Sequence, residues 1–293
     1  MSPVPSIREF NVLFPDEIVC IDFLKNCRIF YTSLECSECQ HPMKRYEGTH
    51  CFRCNKRSCS MRGSRISIRT GTFFHGSVMS CIEIMRLAHL WLSKVGVKSA
   101  ISLSGHSSHT VCAFYAHFRL LVSSALREED QVIGGQDIEV EVDETKLGKR
   151  KYHRGHRVDG AWVVVGIEST AQKKIFLVPV PDRSSETLHS VISSHVAPGS
   201  KVITDMWKGY LNVERLSMTH LTVNHSVNFK DPVTGACTNT AEGLNSGLKR
   251  AIPVRNRVRE GLESYLFEYV WRRQNKQRLF EAFIEALRDI HYY

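Results

Sequence analysis

Apolar and acidic residues alternate near the middle of the chain. Residues 138–144 have the sequence IEVEVDE, in which isoleucine or valine occupies every second position at the start. Because successive side chains of a strand point to opposite faces, this alternation predicts a strand with one apolar and one acidic face. Asp143 is expected at the end of that strand. Glu139 and Glu141 are expected to support the strand or to meet solvent.

Further segments with a regular apolar pattern follow, separated by turn residues. Strands are predicted at residues 161–169, 174–181, 201–205 and 220–226, and helices at 184–196 and 238–250. Three strands, a helix and then further strands and a helix are typical of a mixed α/β sheet.

Residues 80–126 have the apolar spacing of packed helices. Ser80 followed by Glu83 fits a capping box, and Ser107 or Ser108 is expected to cap the last helix. A tight turn precedes that helix, so the three helices resemble a helix-turn-helix, which places a helix in the major groove of DNA.

Four cysteines form two pairs with the spacing of zinc-binding knuckles. Cys36 is paired with Cys39, and Cys51 with Cys54, with eleven residues between the pairs. Two such pairs on a short hairpin can place four thiolates around one zinc ion. The spacing predicts a zinc ribbon, although unligated or redox-active thiols fit it as well. Cys59 is close enough to replace Cys54 as the fourth ligand.

These patterns predict an α/β protein of several segments. They are an N-terminal segment (1–35), a zinc ribbon (36–70), a helical domain resembling a helix-turn-helix (71–130), a mixed-sheet domain (136–250) and a C-terminal helical segment (251–293), which holds one long helix or a helix pair.

The charge of the chain narrows the class of partner. Its net charge is +9 at pH 7, which favours nucleic acid or an anionic membrane surface. No apolar run approaches the ~20 residues that span a bilayer, and the N-terminus lacks a signal-peptide pattern. We therefore expect an intracellular protein whose ten cysteines bind metal before they form disulfides.

Basic residues follow the acidic strand and end the last helix of the mixed-sheet domain. We expect these cations to contact DNA phosphates: Lys146, Lys149, Arg150, Lys151, Arg154, Lys249 and Arg250. The last two would also interact favourably with the dipole of their helix.

Three acids occupy special places in the mixed-sheet domain. Asp143 ends the first strand, Asp205 follows a buried strand, and Glu242 lies in the first turn of a helix. If the first and fourth strands are neighbours, these carboxylates meet at one edge of the sheet, where they suit Mg²⁺ or Mn²⁺. Two such ions can activate a water or a 3′-hydroxyl group for phosphoryl transfer.

Each acid also has a purely structural interpretation. Asp143 would belong to a solvated acidic face, and Asp205 would accept backbone hydrogen bonds in the turn after its strand. Glu242 would complete a capping box with Asn239, for which we favour the role of helix cap.

Four stretches of the mixed-sheet domain are long and specific: VEVDETKLGKRKYHRGHRVDGAWVVVGIE, FLVPVPDRSSETL, APGSKVITDMWKGY and TVNHSVNFKDPVTGACTNTAEGLNSGLKR. They resemble the Merlin transposases and their bacterial insertion-sequence relatives. The resemblance implies a ribonuclease-H-like domain with a DDE triad at Asp143, Asp205 and Glu242. Three residues after the glutamate that family has an aromatic residue, whereas this chain has Asn245.

The same resemblance implies a DNA transposase that moves DNA by cut-and-paste transposition, with Mg²⁺ or Mn²⁺ at the triad and Zn²⁺ at the ribbon. Its partners would be double-stranded DNA, as terminal inverted repeats and target site, and a second copy, because joining two ends requires two active sites. The expected location is the nucleus of a eukaryotic host, otherwise the cytoplasm and nucleoid. The alternatives are a domesticated, catalytically silent DNA-binding or regulatory protein, and a nuclease without strand transfer.

Overall fold

The computed structural model describes residues 3–126, 131–148, 160–223 and 237–292. The α-helices in these ranges are α1 (Ile7–Leu13), α2 (Glu17–Asn26), α3 (Cys81–Leu92), α4 (Val97–Ser104), α5 (Ser108–Ser124), α6 (Ser185–His195), α7 (Asn239–Ala251), α8 (Leu262–Gln274) and α9 (Leu279–Asp289). The strands are β1 (Lys44–Tyr46), β2 (Cys51–Arg53), β3 (Arg65–Ser67), β4 (Ile133–Gly134), β5 (Glu139–Lys146), β6 (Trp162–Glu168), β7 (Ile175–Val180), β8 (Val196–Ala197), β9 (Lys201–Asp205) and β10 (Thr219–Val223).

The chain divides into two compact units. The first contains Met1–Ala125 and Asn275–Tyr293, and the second contains Leu126–Gln274. The predicted C-terminal helical stretch contains two helices, α8 in the second unit and α9 in the first. The five predicted segment boundaries remain a prediction.

Aromatic packing holds the helical part of the first unit together. The ring centroid of Phe118 on α5 lies 5.7 Å from that of Trp91 on α3 and 5.5 Å from that of Phe283 on α9. Large rings bury much apolar surface and favour tilted or edge contacts at such distances. The predicted helices are confirmed, and the apolar stripe of α5 belongs to this core.

The helix ends follow the predicted signals. Ser80 and Glu83 form a complete capping box at the start of α3, and Ser107 caps α5 by accepting from the backbone of Thr110. Gly105 ends α4 with a positive φ of 73°, a left-handed conformation that glycine adopts without strain. The turn between α4 and α5 is therefore tight, while its role in DNA reading stays a prediction.

A three-stranded antiparallel sheet, in the order β1–β2–β3, lies in the first unit. Its strands are short, and the buried Phe52 of β2 anchors them. The cysteines that flank this sheet are described with the functional site.

A five-stranded mixed sheet is the centre of the second unit. Its order is β10–β9–β5–β6–β7, in which β5, β6 and β7 are antiparallel neighbours. Strands β9 and β10 continue the sheet in parallel with β5. The expectation that the first and fourth predicted strands are neighbours is thus confirmed.

Helices cover the two faces of this sheet. One apolar cluster joins Val142 and Val164 to Leu188 and Ile192 of α6. The other joins Val163 and Val165 to residues of α7 and α8, including Leu244, Leu248 and Leu266. Alternation along β6 therefore directs neighbouring valines into different clusters.

Two details of the sequence prediction are wrong. Asp143 does not end its strand, because β6 continues to pair with β5 as far as Lys146 after the pairing with β9 has stopped at Glu141. Asn239 is not the cap of α7 but its first residue, and the N-cap is Thr238. In the described part of the chain, no helix is both long and apolar enough to cross a membrane.

Candidate catalytic site and cysteine cluster

Two of the three acids lie at corresponding positions of neighbouring parallel strands. The register between β5 and β9 ends with Glu141 opposite Ile203. Asp143 and Asp205 each follow two residues later, so they share the same face and end of the sheet. Glu242 comes from the exposed side of the first turn of α7, which packs on that face.

The carboxyl group of Asp143 interacts electrostatically with both of the other acids. Burial and, to a smaller extent, the negative charges of Glu144, Asp205 and Glu242 raise its pKa to about 6. The backbone N–H of Glu144 opposes this effect by donating to Oδ1 at 2.8 Å. A half-buried carboxyl group surrounded by other acids is a favourable place for a cation.

Glu141 connects the same strand to the start of α7. Its side chain is 4% exposed, and Oε2 accepts from the backbone N–H groups of Thr240 at 2.8 Å and Ala241 at 2.9 Å. A carboxylate at a helix N-terminus satisfies free donors and interacts favourably with the helix dipole. Glu141 thus fastens the helix of Glu242 to the strand of Asp143.

Asn245 makes a second connection between α7 and β5. Its Nδ2 donates to Oδ2 of Asp143 at 2.7 Å. Glu242 and Asn245 are three residues apart and therefore lie on neighbouring parts of the helix surface.

Asp205 is held by the turn that follows β9. The backbone N–H of Trp207 donates to Oδ1 of Asp205 at 2.9 Å, so the structural interpretation of this acid describes a real contact. One such bond leaves most of the acceptor sites of a carboxylate available.

A stacked arginine lies near this turn. The guanidinium of Arg183 is 4.2 Å from the ring centroid of Trp162 and 4.3 Å from that of Trp207. It also pairs with the buried carboxylate of Glu144, which accepts from the hydroxyl of Tyr210 at 2.6 Å. These contacts keep the loop after β7 and the turn after β9 in place.

Four thiols in the first unit form a compact cluster. They are those of Cys36, Cys39, Cys54 and Cys59, whose sulfur atoms all lie within 4.8 Å of one another. Two of the separations are 3.7 and 3.9 Å, and a tetrahedral zinc site with Zn–S bonds of about 2.3 Å requires about 3.8 Å. Backbone N–H groups of Cys39 and Glu38 lower the pKa of Cys36 to about 7, which favours the thiolate that binds metal.

This cluster could bind zinc, but its members differ from the predicted set. Cys51 is absent from it, and its thiol donates to the backbone oxygen of Thr49 at 3.1 Å. Residues three apart on an extended strand face opposite sides, so Cys51 on β2 points away from Cys54, which directly follows that strand. Cys59 supplies the remaining thiol, in addition to Cys54 rather than in its place.

Among the described residues, these four thiols are the one group of three or more possible metal ligands that reaches such mutual distances. The three acids interact electrostatically, but their carboxylate oxygens do not all lie within 4.8 Å of one another.

The predicted DNA-contacting cations are only partly within the described residues. Lys146 is exposed, with Nζ 5.5 Å from the ring centroid of Trp162. Lys249 and Arg250 are exposed in the last turn of α7. The others, Lys149, Arg150, Lys151 and Arg154, lie outside the described residues.

Sequence reasoning missed the contacts of Glu141 and Asn245. Glu141 shares the face of Asp143 by strand alternation, which is a signal that it would approach the same helix. Asn245 occupies a position that the apolar spacing of α7 marks as buried, and a polar residue at such a position requires a partner.

Comparison with known proteins now identifies the class of protein. Residues 133–274 match the family model described as the ISXO2-like transposase domain. An uncharacterised transposase-like protein of Haemophilus influenzae is 31% identical over 108 residues, covering 36% of this chain and 84% of that protein. The chain belongs to the ISXO2-like transposase family.

Among solved structures, a pre-cleavage Mos1 transpososome is similar over 72% of this chain and 79% of that one. The identity is 10% and the TM-score is 0.24. So loose a likeness supports no inference about the site.

Proposed function

We propose that this chain is an active DNA transposase that cuts and joins DNA by metal-dependent phosphoryl transfer. The observation that carries the proposal is the convergence of Asp143, Asp205 and Glu242, whose proximity is expressed in the raised pKa of Asp143. These acids come from a central strand, the end of its parallel neighbour and a helix on the same face.

The order of the central sheet supports a ribonuclease-H-like assignment. Three antiparallel strands in sequence, then a helix, then two parallel strands on the far side of the first strand match the arrangement implied by the resemblance to Merlin transposases. The Merlin subtype is a finer proposal that rests on the sequence resemblance alone.

The donor set fits Mg²⁺ or Mn²⁺, because all three groups are hard carboxylate oxygens and one of them is half-buried. Asp143 and Asp205 would hold one ion between them, and Asp143 with Glu242 would complete a second site. Bound ions would supply Lewis-acid activation of a water or 3′-hydroxyl and charge stabilisation at the leaving oxygen.

The protein's own residues would prepare this site. Glu141 docks the helix that presents Glu242, and the turn bond from Trp207 orients Asp205. The described cations Lys146, Lys249 and Arg250 would add affinity for the DNA backbone that decreases as salt increases.

The proposal also includes the oligomeric state, the DNA partners, the zinc site and the location of the protein. Transposition joins two ends, so we propose a homodimer that binds terminal inverted repeats and target DNA. The cysteine cluster would hold zinc, and α3 to α5 would contribute to end recognition by contacting a major groove. The location would be the nucleus in a eukaryotic host and the nucleoid otherwise.

Cleavage of a DNA duplex tests the proposal. The substrate carries the genomic sequence that flanks the coding region, and the whole chain is assayed with and without Mg²⁺. We expect cleavage and joined products for the unmutated protein and for Asp137→Asn, an exposed acid outside the site. Asp205→Asn should bind the duplex without cutting it.

Two other outcomes would contradict this function. Binding without cleavage by the unmutated protein would favour the catalytically silent regulatory protein. Cleavage that never yields a joined product would leave a metal-dependent nuclease.

A further inference from the structure

The core-facing side of α7 contains one polar residue among apolar ones. Its buried positions are Ala241, Leu244, Asn245 and Leu248. Asn245 is 7% exposed, although an apolar side chain would fill such a position at lower desolvation cost. A buried amide at this place therefore requires an explanation from its contacts.

One end of the amide fixes the carboxylate of Asp143. Nδ2 of Asn245 donates to Oδ2 at 2.7 Å, while the backbone N–H of Glu144 donates to Oδ1 at 2.8 Å. With a donor on each oxygen, the carboxylate cannot rotate without losing a bond. Each oxygen has a further acceptor site, so both remain able to bind a cation.

The other end of the same amide is unsatisfied. Oδ1 of Asn245 is buried and has no hydrogen-bond partner among the described residues. A buried acceptor without a donor costs free energy, and native proteins rarely retain one without a reason. Oδ1 is bonded to the same carbon as Nδ2, so the bond from Nδ2 to Asp143 also fixes the position of this oxygen.

We propose that Asn245 is a positioning residue for the divalent cation of the carboxylate site. Nδ2 holds Asp143 in the orientation that binds the ion, and so keeps the remaining acceptor sites of that carboxylate available to Mg²⁺ or Mn²⁺. This inference rests on the proposed function, because it assumes that Asp143 binds a cation. It adds a residue from outside the DDE triad to the site.

The proposal separates two roles that a buried asparagine can have. A merely structural amide stabilises the fold and has no effect on cation affinity. A positioning amide affects cation affinity, since groups that orient metal ligands typically change it by about 10- to 100-fold.

The test measures Mn²⁺ binding to the whole, zinc-loaded chain by electron paramagnetic resonance, together with thermal unfolding in the absence of Mn²⁺. Asn245→Leu removes both polar atoms and keeps the approximate volume, and Ser246→Ala is the control at the adjacent exposed position of α7. We expect Asn245→Leu to weaken Mn²⁺ binding by about 10- to 100-fold and to leave the melting temperature unchanged or higher. Ser246→Ala should change neither.

A second variant separates failure of this inference from failure of the proposed function. If Asp143→Asn binds Mn²⁺ as tightly as the unmutated chain, the carboxylates are not the cation site and both ideas are wrong. If Asp143→Asn loses binding while Asn245→Leu retains it, only the role of Asn245 is overturned. A lower melting temperature with unchanged Mn²⁺ affinity in Asn245→Leu likewise shows a structural amide.

Discussion

The two candidate metal centres of this chain are built in opposite ways. The cysteine cluster uses residues 36–59, from one segment before β1 and one between β2 and β3, and its sulfur separations already suit a tetrahedral ion. The acids come from β5, β9 and α7, and burial together with like charges makes Asp143 harder to ionise.

If each centre binds its proposed ion, the two ions would have different functions. Four thiolates fill the coordination of zinc, so such a site stabilises a fold and leaves no position for a substrate. Three carboxylates leave positions for water and phosphate. We therefore expect the cysteine cluster to affect mainly stability. We expect the three acids to affect catalysis, and to lower stability when no cation is bound.

The largest expected effect is loss of catalysis at the acidic site. Glu242→Gln keeps the shape of the side chain but removes its charge, and we expect the rate of Mg²⁺-dependent cleavage to decrease at least about a thousandfold, or about 4 kcal/mol of activation free energy. Initial rates on the duplex substrate measure this, and zinc content should not change.

Its control is Glu186→Gln, which alters an exposed first-turn glutamate on α6 of the same unit. This variant should cut normally. Equal losses in the two variants would remove Glu242 from the proposed site.

The next largest effect concerns the cysteine cluster. Cys59→Ser replaces a thiolate ligand by a hydroxyl group, and we expect zinc affinity to decrease by more than about 100-fold, beyond the effect of altering an outer-shell partner. Competition with a chromophoric chelator measures the affinity. Retention of tight zinc binding would exclude Cys59 as a ligand.

Because structural zinc supplies folding free energy, unfolding of the first unit should occur at lower temperature in Cys59→Ser. Amide hydrogen exchange can follow residues of β1 to β3 separately from the second unit.

The next effect is smaller and is a gain in stability, whereas Cys59→Ser is expected to cause a loss. It concerns Asp143→Asn at the acidic site. Asp143 has a pKa of about 6 in the folded chain against 3.8 as its ordinary value, so it binds a proton more tightly when folded. Its contribution to stability is complete below about pH 4 and is lost as the pH increases through about 6. Above that pH, Asp143→Asn should be more stable by about 3 kcal/mol without a divalent cation.

Urea unfolding in Mg²⁺-free buffer, at pH 4 and pH 7.5, tests this sign on the second unit. Trp162, Trp207 and Trp271 lie in the second unit and report on it by fluorescence. A variant that is less stable at pH 7.5, or equally stabilised at both values, would contradict the electrostatic argument.

Much of the fold could be predicted because local patterns report burial. Alternation in β5, the capping box of α3 and the apolar stripe of α5 each reflect forces within one segment. The three acids could be proposed because ends of neighbouring strands meet at one edge.

The remaining features depend on pairing between distant residues. Asp143 lies inside its strand because β6 extends the pairing, and Asn239 is not a cap because it is already the first residue of α7. The contacts of Glu141 and Asn245 join residues about a hundred positions apart, which spacing in one segment cannot specify.

The smallest expected effect decides between the two possible sets of zinc ligands. Cys51→Ser removes a thiol that lies outside the cluster and donates to a backbone oxygen, which a serine hydroxyl can also do. We expect a stability change within about 0.5 kcal/mol and unchanged zinc affinity in the competition assay used for Cys59→Ser. Loss of zinc in Cys51→Ser with retention in Cys59→Ser would restore the pairing that the two CxxC motifs first indicated. The cluster would then have to rearrange around the bound ion, and the sulfur separations observed here would not describe the zinc site.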